Sequence, residues 1–111
     1  MIQAIVRPEK AHDVVVSLDK SGIRGFTRME VMGHGRQKGI QIGAVHYPEI
    51  AKSWFMIIVE DSEVDRTVNA IRIAGRTGHP GDGKIFVSHL TEARTIRECG
   101  KPAENVSTVK D

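Results

Sequence analysis

The sequence predicts a single α+β domain in the order β-α-β-β-α-β, with two helices packed on one face of an antiparallel sheet. Three observations predict it. Four short runs are rich in β-formers, two intervening stretches carry apolar residues at helical spacing, and 111 residues leave room for only one core.

The first run, Met1 to Val6, ends at Arg7-Pro8, where proline stops strand pairing and can begin a helix. Ala11, Val14, Val15 and Leu18 then recur on one helical face, and Gly22 supplies a left-handed C-cap, so the first helix is expected over roughly 10–21. A second strand follows Gly25 over Phe26 to Met32, where Phe26, Met29 and Val31 are separated by polar residues. From Gly33 to Ser53 the pattern loses all period and reads as one long loop, and a loop longer than about 12–15 residues in a small domain is usually functional or disordered. Trp54 to Val59 is a continuous apolar strand. Asp61, Ser62, Glu63 and Asp65 supply a helix start, Val64, Val68, Ile71 and Ala74 a buried stripe, Arg72 and Arg76 cations for the C-terminal dipole, and Gly78 a stop. Lys84 to Leu90 is the last strand.

This order is the ferredoxin-like arrangement, and it leaves one sheet face without helices. Such a face should alternate polar and apolar residues, yet Trp54 to Val59 is apolar throughout. Another copy of the chain would cover it, which predicts a cyclic oligomer; the other reading is a core strand covered by a terminal tail. The tail after Gly100 is polar and is expected to be mobile.

Composition excludes several classes. Sixteen Lys and Arg against fourteen Asp and Glu leave +2, too balanced for a chain that holds nucleic acid by neutralising phosphates, so any anion site must be local. The lone Cys99 has no disulfide partner, which points to a reducing cytoplasm. The N-terminal run is too short for a secretion signal, and no stretch approaches the ~20 apolar residues of a membrane span, so a soluble, unexported protein is expected. The five histidines show no paired metal spacing, and no nucleophile motif appears.

Two glycine-rich basic loops carry the chemistry. The stretch Thr77-Gly78-His79-Pro80-Gly81-Asp82-Gly83-Lys84 formally matches, from Gly78, the first seven positions of a phosphate-binding P-loop, but Ile85 stands where Ser or Thr would hold magnesium, and the helix precedes the loop instead of following it. A P-loop NTPase is therefore rejected. The physics survives: glycines let backbone N–H groups converge on an anion, and Lys84 adds a point charge. An ordinary Gly-rich turn with a solvated lysine is the alternative. In Gly33-His34-Gly35-Arg36-Gln37-Lys38-Gly39, glycines permit close approach and Arg36 offers a planar phosphate fork, against the alternative of a merely solvated loop. The two loops could converge on one ligand in an oligomer.

These loops, their separation and the element order together resemble the PII signal-transduction family over essentially residues 1–100. In that resemblance the whole chain, 1–111, is one PII-like domain with a T-loop at about 35–53, a B-loop at about 76–84 and a flexible tail at about 98–111. It implies a trimer, binding of ATP or ADP in clefts between subunits, and binding of 2-oxoglutarate beside the nucleotide through a shared magnesium ion. The implied nucleotide contacts are Gly33, Gly35, Arg36, Gln37, Gly81, Asp82, Gly83, Lys84 and Arg97, with Thr27 and Ile58 facing the adenine. Gln37, Lys38, Gly39 and Lys52 are the implied 2-oxoglutarate contacts, with Gln37 also ligating magnesium. An amide oxygen suits a hard cation, and a long-stemmed ammonium suits a carboxylate.

The departures are informative. Ile40 to Ala51 is shorter than the loop of common bacterial members and lacks their nucleotidylated tyrosine, of which Tyr47 is not the equivalent. Thr95 stands where many members have a second arginine. Arg7-Pro8-Glu9-Lys10, Gln37 to Gln41 and Val59-Glu60-Asp61 resemble the first member of the PII-like pair encoded with nitrogenase genes. That resemblance implies a non-enzymatic nitrogen-fixation regulator that binds dinitrogenase together with a PII-like paralogue. A PII-type regulator of an ammonium transporter or of another nitrogen-metabolism target is the runner-up. From other classes, a small ferredoxin-like phosphate hydrolase would need an anion clamp near the first strand. An RNA-binding module would need stacking aromatics that Phe26, Trp54, Phe55 and Phe86 do not form.

Overall fold

The structure is a computed structural model that describes residues 1–34, 40–42, 45–47 and 50–97. Its elements are β1 (Ile2–Val6), α1 (Ala11–Lys20), β2 (Thr27–Gly33), β3 (Ile40–Ile42), β4 (Val45–Tyr47), β5 (Ile50–Ile57), α2 (Val64–Gly75) and β6 (Gly83–Val87). Four strands form one antiparallel sheet in the order β2-β5-β1-β6, and β3 pairs with β4 separately. This is the ferredoxin-like fold expected from the element order.

Each helix begins with a short 3-10 turn, Pro8–Lys10 before α1 and Asp61–Glu63 before α2. The second is fixed by a capping box in which Glu60 and Glu63 exchange backbone and side-chain bonds. The α2 helix stops at Gly75, short of the predicted stop; Arg76 is already extended, and Gly78 instead makes a left-handed turn. Its buried residues are Thr67, Ala70, Ile71 and Gly75, with Val64, Val68 and Ala74 packed at the margin. Thr67 is tolerated there because its hydroxyl donates to the Glu63 carbonyl at 2.7 Å.

Alternation along the strands sorts the sheet into two faces. Ile2, Ala4 and Val6 of β1 and Phe55 and Ile57 of β5 are buried with Val14, Leu18 and Ile71 of the helices. Gln3, Ile5, Trp54 and Met56 point the other way and are only partly buried, as expected of a face without helices.

The long aperiodic loop is corrected by this structure. The strand predicted from Trp54 begins at Ile50, and β3 and β4 form a two-stranded ladder inside the stretch read as loop. The cause is non-local: Ile50 to Ser53 pair with Gly33 to Glu30 of β2, so a partner strand supplies the bonds that local pattern does not announce. The expected T-loop span of 35–53 thus overlaps the first residues of β5. The expected tail at 98–111 lies outside the described residues.

Candidate functional site

The pairing of β6 with β1 brings the second glycine-rich loop to one end of the sheet, because Gly83 lies opposite Val6 and Lys84 opposite Ile5. Gly83 has φ +103°, and a Cβ there would sit 1.6 Å from the Ile5 carbonyl oxygen. Only glycine permits that approach. Gly78 and Gly81 also have positive φ, so the loop turns through three left-handed glycines.

Asp82 organises this loop from inside. Its carboxylate accepts from the Thr77 hydroxyl, from the backbone N–H of Thr77 at 2.9 Å and of Gly78 at 2.8 Å, and from Arg7 Nε at 3.0 Å. These donors, the Thr77 hydroxyl first, hold the Asp82 carboxyl below the usual carboxylate range against the opposing effect of burial. Asp82 was expected in the phosphate cradle; its side chain is instead committed to the loop itself.

Two cations grip loop carbonyls. Arg7 Nη2 donates to Pro80 O at 2.8 Å, and Lys52 Nζ donates to Gly81 O at 2.5 Å. Burial lowers the Lys52 pKa, and the nearby positive charge of Arg7 lowers it further.

Beside the loop, on the sheet face without helices, lies a cleft of about 900 Å³ lined by Ile5, Gly33, His34, Ile50, Lys52, Pro80, Gly81, Gly83, Lys84 and Phe86. It unites one root of the expected T-loop (Gly33), the other root (Lys52) and the B-loop (Gly81, Gly83, Lys84) within one chain, whereas the sequence suggested that the two loops could converge in an oligomer. Thr27 and Ile58 are elsewhere. Thr27 pairs with Met56 and Ile58 follows β5, so six residues separate Lys52 from Ile58 along an extended chain, about 20 Å. Arg97 is exposed beyond β6 and does not line the cleft. Gly35, Arg36, Gln37, Lys38 and Gly39 lie outside the described residues.

Over residues 1–99 the chain matches the family described as "Nitrogen regulatory protein P-II". The chain belongs to the PII family. It is 46% identical over 97 residues to "Nitrogen fixation nifHD region GlnB-like protein 1" of Methanothermococcus thermolithotrophicus, covering 87% of this chain and 92% of that protein. It is also 46% identical over 102 residues to "Nitrogen fixation nifHD1 region GlnB-like protein 1" of Methanosarcina barkeri, covering 92% and 96%. "Nitrogen regulatory protein P-II" of Bradyrhizobium diazoefficiens is 42% identical over 100 residues, covering 86% and 89%. The names of the first two support the nitrogenase-linked subgroup read from the sequence. For this PII protein, none of the described helices is long and apolar enough to cross a membrane.

Sequence reasoning missed Arg7 as a member of the site, and it placed Thr77 in the B-loop without giving it a role. Arg7 was visible as part of a strand-ending Arg-Pro pair and of a subgroup-marking segment, and the available signal for its role was that any strand pairing with β1 would bring its own leading loop against the residue after Val6.

Proposed function

We propose that this PII protein is a nitrogen-regulatory sensor that binds ATP or ADP, and 2-oxoglutarate, between subunits of a homotrimer. It then controls a partner through the segment between β2 and β5. The observation that supports the reading best is the cleft itself, where Gly81 and Gly83 of a left-handed loop meet Lys84 and Lys52. Among the described residues the Gly81 N–H takes no acceptor, so the loop can meet a polyphosphate with that amide and the Lys84 ammonium.

The division of the expected contacts favours a site shared between copies. Gly33, Lys52, Gly81, Gly83 and Lys84 gather at one end of the sheet, whereas Thr27 and Ile58 lie toward the other end of β5, about 13 Å and about 20 Å from Lys52 along the strand direction. One nucleotide reaches both groups most simply when the adenine contacts come from a neighbouring chain. In this reading Arg36 and Arg97 add charge on the phosphates, Gln37 ligates magnesium, and Lys38, Gly39 and Lys52 hold 2-oxoglutarate. Ligand held at Gly33 and Lys52 clamps both roots of the intervening segment and thereby selects which shapes it presents to a partner. The names of the relatives from nitrogen fixation regions favour dinitrogenase as that partner, with a PII-like paralogue beside it.

Calorimetric titration of ATP into the wild type, Lys84→Ala and Arg36→Ala tests the site. Each substitution is expected to weaken binding about tenfold or more, since hydrogen bonds to charged groups contribute about 1.5–3 kcal/mol. Unchanged ATP affinity in both variants refutes the cradle. A parallel titration of 2-oxoglutarate with and without Mg-ATP is expected to show binding only when the nucleotide is present.

A further inference from the structure

We infer that Arg7 is a positioning residue for the anion-binding loop: it touches no ligand, and it sets the direction of the Pro80–Gly81 peptide group, whose amide meets the phosphates. The inference rests on the reading of Thr77 to Lys84 as a nucleotide cradle.

The argument starts from the peptide unit. A trans peptide points its carbonyl and the following N–H in opposite directions, and that plane resists rotation. Arg7 Nη2 holds the Pro80 carbonyl at 2.8 Å, so the Gly81 N–H faces away from Arg7. Lys52 Nζ holds the next carbonyl, that of Gly81, at 2.5 Å, so the Asp82 N–H faces away from Lys52. The Gly81 amide is thereby presented without a protein acceptor among the described residues, whereas the Asp82 amide closes the tight turn through Pro80 and Gly81 toward the His79 carbonyl. The left-handed Gly81, at φ +99°, lies between the two tethered carbonyls and lets them turn toward different cations.

Arg7 has a second hold on the same loop. Its Nε donates to Asp82 Oδ1 at 3.0 Å, and the same carboxylate receives the amides of Thr77 and Gly78. One planar guanidinium therefore fixes a carbonyl and a carboxylate two residues apart, a geometry that a lysine ammonium does not reproduce. It also partly neutralises a carboxylate that would otherwise repel the phosphates the loop is built to accept. Arg7 follows β1 directly and is only partly exposed, with 23% of its side-chain surface accessible, so its guanidinium is held from the rigid sheet instead of from the loop.

Two measurements on the full-length protein test this. In the ligand-free protein, Arg7→Gln should speed exchange of the Thr77 and Gly78 amides at least about tenfold by NMR, while the core amides of Phe55 and Ile57 keep their rates. Uniform acceleration across core and loop, or no acceleration, overturns the assignment. In the second, ATP affinity is measured for Arg7→Gln, Asp82→Asn and the double variant. Each single change should weaken ATP about tenfold, and the double should lose little more than either, because both act through one loop conformation. Additive losses would mean that Arg7 contacts the nucleotide itself and would also overturn it. If the wild type binds no ATP at all, the proposed function fails, while the exchange rates still decide whether Arg7 orders the loop.

Discussion

At the scale of single residues, Gly83 is the most constrained position in the molecule. Its left-handed backbone and its contact with Ile5 leave no room for a side chain, since a Cβ would lie 1.6 Å from the carbonyl oxygen. Ala at this position must break the start of the β1–β6 pairing or move β1. Gly83→Ala is therefore expected to destabilise the fold by at least about 2 kcal/mol, measured by urea denaturation. Gly78→Ala, where nothing lies within 4 Å of the added carbon, carries only the strain of its positive φ and should lose less. Equal losses in the two variants would argue against the close approach at Gly83. Both glycines are plain in the sequence. Which of them is forced by a neighbouring strand is not, because the neighbour is 78 residues away in the chain.

At the scale of elements, the loop between α2 and β6 is held by one carboxylate, and this gives it a defined acid response. The folded Asp82 carboxyl titrates below its unfolded value because the Thr77 hydroxyl, Arg7 and two backbone amides bind its charged form. A depressed carboxyl contributes stability that is fully present above the unfolded value, about 3.9, and that is lost as pH falls through the folded one. The Thr77 and Gly78 amide signals should therefore stay unchanged on acidification past the range where ordinary aspartates protonate. NMR titration of the carboxyl carbon checks this, and a midpoint at or above the ordinary aspartate value would contradict the network. The helices were legible element by element, since Ala11, Val14 and Leu18 lie on one helical face and are all fully buried. The start of β5 was not, because Lys52 and Ser53 break the apolar run and are held by a strand partner, by Gly81 and by Glu30.

At the scale of the whole molecule, the open sheet face is the feature that a single chain leaves unfinished. Met29 and Phe86 on that face are 52% and 51% exposed, and Trp54 and Met56 lie beside them on the same side. The proposed trimer buries this surface, so Met29→Glu and Phe86→Glu are expected to lower the solution mass measured by light scattering while leaving the far-UV circular dichroism of the fold intact. Both residues have room for a charge in the isolated chain and none at a dry interface. A trimeric mass retained in both variants, or a monomeric wild type at micromolar concentration, would refute the assembly.

Local pattern determined the order of elements, the helix faces and the two glycine-rich loops, because periodicity and turn chemistry are properties of neighbouring residues. The same local signals, taken together, carried the resemblance to the PII family that the match over residues 1–99 bears out. Only the tertiary structure decided that Gly33, Lys52 and Lys84 line one cleft, that Asp82 faces inward to Thr77, and that Arg7 grips the loop before β6. The first and last of those are contacts across more than a dozen residues, created when β1 pairs with β5 on one side and β6 on the other, whereas the Asp82–Thr77 contact is local to the loop. Register between strands is set by which side chains the whole sheet can bury, and that sum over the fold is not written in any one segment.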